Sequence, residues 1–90
     1  RGYRVAINQS GQLGDAVNSE NGVEARLGWK FGGSVLAVID ILPNSVWTDI
    51  FPFPVARRRE IAERIAREIV RQKAPGSRFH WAGNAIQMAE

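Results

Sequence analysis

Ninety residues that are 44% apolar and 23% charged, with a net charge of +3, describe one folded domain near the lower size limit for an unaided core rather than a disordered chain. The lack of cysteine excludes disulfides and thiolate nucleophiles, and a single histidine, His80, argues against a zinc cage built from this chain alone. The longest apolar run, Val35 to Leu42, contains Asp40 and falls far short of the roughly 20 residues of a membrane span. With no signal-peptide pattern at Arg1-Gly2, the expected home is cytoplasmic and free of membrane, although what preceded Arg1 is not legible.

The first predicted element is a short strand from Tyr3 to Asn8. The next stretch, Gln9 to Gly22, is rich in Gly, Asn and Ser, and its turn dipeptides Ser10-Gly11 and Asn21-Gly22 predict a strand between them over Gln12 to Ser19. The alternative is a mobile binding loop. Val23, Ala25, Leu27, Trp29 and Phe31 then alternate with Glu24, Arg26, Gly28 and Lys30, the pattern of a strand with one wet face. Gly32-Gly33 predicts a two-residue hairpin turn into a central strand over Ser34 to Leu42, apolar on both faces apart from Asp40. After a Pro43-Asn44-Ser45 turn, Val46 to Phe51 reads as a further strand, closed by Pro52 and Pro54.

From Pro54 to Ala74 the period changes to that of a helix. Ile61, Ile65 and Ile69, with Ala62, Ala66 and Val70 beside them, make an apolar side opposite Arg57, Arg64 and Arg71. Pro75-Gly76 ends it, and Arg78 to Ala82 predicts a last short strand. The expected fold is therefore a single α+β domain over residues 1–90: an antiparallel meander of five or six strands curled over one long amphipathic helix, in the order ββββ(β)αβ. Val35, Ala37, Ile39 and Ile41, or their alternates, are expected against the helix. Leu36, Val38 and Leu42, with some of Trp29, Trp47 and Phe51, are then left on the other sheet face, which would be covered by closure into a barrel, by a second copy or by a ligand.

Charge is unevenly divided. Residues 1–50 carry four cations against five anions, whereas residues 51–90 carry eight cations against four anions, most of the cations on the helix. Within it, Glu60 to Arg64, Glu63 to Arg67 and Arg64 to Glu68 are spaced for pairing one turn apart. Arg57, Arg58 and Arg59 are the anomaly, because cations in a first helical turn oppose the macrodipole. Their expected use is to hold a carboxylate such as Asp49 or an acidic group of a partner. His80 lacks an identifiable nucleophile or orienting carboxylate in sequence, and Asp40, Asp49 and Glu24 match no coordination loop, so no catalytic residue, metal site or cofactor is predicted. Asp40 itself must pair, find donors or lie at a strand end, and a salt bridge to a nearby arginine is expected.

No motif ties the chain to a family. The leading functional expectation is a non-enzymatic binding or self-associating module, either a homodimer or larger oligomer or a partner of an acidic protein or small apolar ligand, with Arg57, Arg58, Arg64, Arg67, Arg71, Phe51 and Phe53 as the partner-binding residues. The alternatives are nucleic-acid binding through the helix arginines and a small enzyme with a pocket in the curve of the sheet.

Overall fold

Alternation at the start of the chain is realised as three strands in series in the computed structural model, which describes residues 2–90. Strands β1 (Arg4–Ser10), β2 (Leu13–Glu20) and β3 (Val23–Lys30) form an antiparallel meander. The stretch rich in Gly, Asn and Ser is thus a central strand and not a loop. Its exit turn works because Asn21 and Gly22 both take positive φ, 50° and 80°, the conformation that matches the twist of a two-residue hairpin.

The turn expected at Gly32-Gly33 does not form. Neither glycine takes a positive φ, and the amide of Phe31 continues the ladder to the Gln12 carbonyl at 2.9 Å. Residues 31–36 therefore make a longer connection, and β4 (Ala37–Asp40) meets β3 only through the pairs Trp29 with Ile39 and Lys30 with Val38.

The predicted strand over Val46 to Phe51 is instead helix α1 (Asn44–Ile50). Leu42 turns the chain out of the sheet at φ 72°, and Pro43 opens the helix, its carbonyl receiving the amides of Val46 and Trp47. The apolar residues that suggested a strand are used at helical spacing: Trp47 and Phe51, four apart, pack with centroids 4.5 Å apart and rings tilted by 54°. Trp47 is fully buried and donates its indole N–H to the Phe53 carbonyl at 3.0 Å.

A 3₁₀ turn (Val55–Arg57) leads into α2 (Arg58–Lys73), and Gly76, at φ 86°, follows its end. Strand β5 (Arg78–Ala82) lies where the sequence places it, but β6 (Ala85–Ala89) was not foreseen. It inserts between β4 and β5, giving the order β1-β2-β3-β4-β6-β5. The sheet is open, with β1 and β5 as its edges, and does not close into a barrel.

Helix α2 covers one face. Ile61, Ala62, Ile65, Ala66 and Ile69 are buried in one core with Ala16, Ala25, Leu27, Trp29, Ala37, Ile39, Ile86 and Met88. Alanines at three sheet positions leave room for the large helix side chains, as close packing requires. The opposite face is mostly polar: Arg4, Asn8, Asp15, Ser19, Glu24, Arg26, Lys30, Gln87 and His80 alternate with the core positions. Trp29 and Trp47, expected there in part, are buried in the core instead. The apolar surplus that motivated a second copy reduces to Leu13, 58% exposed, Leu36, 40% exposed, and half-buried Val38. Among the described residues no helix is long and apolar enough to cross a membrane.

Candidate functional site

The arginines of α2 are placed by an apolar helix face that fixes which side meets the sheet edge. Arg57 grips Glu20 of β2 with two parallel bonds, at 3.0 and 2.8 Å, and gives its Nε to Glu60 at 2.8 Å. Arg64 reaches the same Glu20 at 2.7 Å, Glu60 at 2.7 Å and the Oδ1 of fully buried Asn18 at 3.4 Å, while its guanidinium stacks 3.7 Å from the Tyr3 ring centre. Asn18 completes the network by donating to Glu20 at 3.1 Å. Two guanidinium groups thus share one carboxylate that is only 11% exposed. Hydrogen bonding from Arg57, then from Asn18 and Arg64, outweighs the burial that would raise it and holds Glu20 at about pKa 2. Glu60 is lowered for the same leading reason, its bond from Arg57.

Arg58 answers the anomaly differently. Its Nε and Nη2 donate to the carbonyl of Leu42 at 2.9 and 2.6 Å, Nη2 also reaches Asn84 at 3.1 Å, and the guanidinium lies 5.3 Å from the Trp81 ring centre. It therefore pins the left-handed Leu42 corner to the β5–β6 turn. Burial alone lowers its pKa. Arg59 pairs with Glu63 at 3.3 Å, and Arg71 with Glu68. Asp49 is exposed on α1 and receives none of these cations.

Of the expected helix pairs, Glu60 to Arg64 forms. Glu63 turns instead to Arg59 and to the Trp81 indole at 2.8 Å, and Glu68 to Arg71 and Gln72. Arg67 is left exposed, with no ion pair among the described residues; Arg4 on β1 is in the same condition. These two line one groove of about 290 Å³ together with Tyr3, Val5, Arg64 and Glu68. The structure thus brings Arg64 and Arg67 together, sets Arg71 on the exposed side of α2, and binds Arg57 and Arg58 inward. Phe53 is 6% exposed, under the Arg57 guanidinium at 5.5 Å, and Phe51 is half-buried on Trp47. The exposed apolar residues of that corner are their neighbours Ile50, at 57%, and Val55, at 41%.

Glu20 and Asn18 went unnoticed in the sequence because they lie in the stretch whose composition spoke for turns. Arg4 was passed over because one cation on an edge strand carries no pattern. His80 is exposed, and its Nε2 lies 3.1 Å from the Gln87 amide oxygen, with no carboxylate bonded to the ring among the described residues. Asp40 is exposed at the end of β4, and the arginine salt bridge expected for it does not form among the described residues.

On the open face a second depression, of about 330 Å³, lies over Gly28 between Leu13, Lys30, Val38 and Asp40. Asp15, opposite Gly28 in register, is occupied by Asn8 at 2.7 Å and Arg26 at 2.9 Å, which lower its pKa in that order of importance. No protein family, curated protein or solved structure matches this chain.

Proposed function

We propose that the chain is a non-enzymatic binding module whose groove between β1 and α2 receives an acidic side chain of a protein partner. The observation that carries this reading is the division of the cations. Arg57, Arg59, Arg64 and Arg71 each hold a carboxylate of this chain and Arg58 a carbonyl, whereas Arg4 and Arg67 hold none and line the same groove. A carboxylate at the exposed Arg67 guanidinium, beside the Arg4 end of the β1 edge, would form charge-assisted bonds, the stronger class of hydrogen bond. The Tyr3 ring and Val5 offer an apolar flank to the stem of that side chain.

The competing reading is nucleic-acid binding. With two unpartnered cations in this groove, counterion release there would give a log-log salt slope of about 2, against the several units of a duplex-binding surface. The test is an amide-shift titration with a glutamate-rich octapeptide and, separately, a single-stranded oligonucleotide at about 0.15 M salt. Shifts at Arg4, Val5 and Arg67 with the peptide, abolished by the pair Arg4→Gln and Arg67→Gln and kept in Arg71→Gln, are expected. Tighter binding of the oligonucleotide would overturn the proposal in favour of nucleic acid.

A further inference from the structure

Glycine inside a strand is accounted for at one position of this sheet and not at another. A Cβ on Gly14 would stand 1.9 Å from the Asn8 carbonyl oxygen, so the backbone there demands glycine. Gly28 faces no such demand: its φ is not positive, and a Cβ would meet nothing within 4 Å. A strand glycine often marks a bulge, a bend or a place where a ligand comes close to the sheet, and the depression over Gly28 points to the last of these.

The surroundings of Gly28 say what. Leu13, 58% exposed, and half-buried Val38 form apolar walls. Lys30 and Asp40, both exposed, supply opposite charges at the rim, and neither has a hydrogen bond or ion pair among the described residues. Lys30 stands opposite Val38, which places Asp40 diagonally across the β3–β4 pair at a spacing of about 7–8 Å. Two residues of extended chain span about 7 Å. We infer that the depression over Gly28 is a binding site for a dipeptide-sized zwitterion with apolar side chains, its carboxylate toward Lys30, its ammonium toward Asp40 and its body on Leu13 and Val38. The site is separate from the Arg4 and Arg67 groove and does not depend on that reading.

Leucyl-leucine is the probe, with its doubly capped neutral counterpart as the control, in an amide-shift titration. The free dipeptide should shift Leu13, Gly28, Lys30 and Val38, and the neutral one should bind about tenfold more weakly or worse, as loss of a charged contact implies. Gly28→Val fills the depression where no atom stands in the way, so it should abolish the shifts while the melting temperature is unchanged or raised. Lys30→Gln and Asp40→Asn should each weaken binding, and Arg4→Gln with Arg67→Gln should not. Absence of shifts, an equal response to the capped peptide, or shifts that survive in Gly28→Val would each overturn the inference. Shifts at the same residues that grow with protein concentration alone would also overturn it, assigning the face to a second copy.

Discussion

Replacing Glu20 with glutamine tests the network that ties α2 to the sheet. The substitution keeps the shape of the side chain and an oxygen for Asn18 to bond, but removes the charge that Arg57 and Arg64 share. A carboxyl group held at about 2 when folded and near 4.5 when unfolded contributes about 3 kcal/mol to stability at neutral pH. That is a large part of the roughly 5–15 kcal/mol expected of a domain. The sign follows from the direction of the shift. A depressed acid stabilises fully above its unfolded value, and the contribution is lost as pH falls from about 4.5 through about 2. Urea unfolding of both chains from pH 7 to pH 2 should give a difference of about 3 kcal/mol above pH 5, about half of that near pH 3, and little at pH 2. A difference that stays constant over this range, or stays below about 1 kcal/mol throughout, would show that the shared carboxylate behaves as an ordinary surface ion pair.

Ile65, fully buried on α2, should cost about 2–5 kcal/mol when cut to alanine, seen as a large drop in melting temperature; a drop of only a few degrees would mean that this face is not the core. Gly14→Ala should destabilise by more than the usual gain of about 0.5–1 kcal/mol from removing a strand glycine, because its Cβ meets the Asn8 carbonyl; a chain melting at or above the parent would refute that close approach. Light scattering at high micromolar concentration should give a 10.0 kDa monomer, since the open face keeps few exposed apolar side chains, and a dimer would show that Leu13, Leu36 and Val38 suffice for self-association.

Period and turn chemistry made most of this fold legible. The isoleucines of α2, the alternation of β3 and the Asn21-Gly22 turn each combine a local preference with a face that tertiary structure then buries, so local and global signals agree. Legibility failed where they part. Val46 to Phe51 has strand-like composition but follows a left-handed Leu42 and Pro43, and the Trp47–Phe51 spacing of four serves a helix as well as the eye for aromatic strands misses it. β6, AIQMA, alternates over only five residues after a turn, too short a pattern to separate from a tail. The arginine excess was visible, but which cations remain unpartnered depends on Glu20, thirty-seven residues before Arg57, and no local spacing encodes a pairing at that separation.

The placement of β6 bears on the order in which the chain can assemble. β6 follows every other element in sequence, yet it lies in the interior of the sheet, bonded to β4 on one side and β5 on the other. On a ribosome, β1 to β3 can pair as soon as they emerge, because their turns join neighbours. Until residues 85–89 follow, β4 retains an unpaired edge and β5 has no strand beside it. Ile39 and Ala37 also lack the Ile86 and Met88 that stand across from them. Until β6 arrives, the nascent chain therefore carries a β4 edge open to foreign pairing, and protection of that edge is a task of synthesis rather than of the folded sheet.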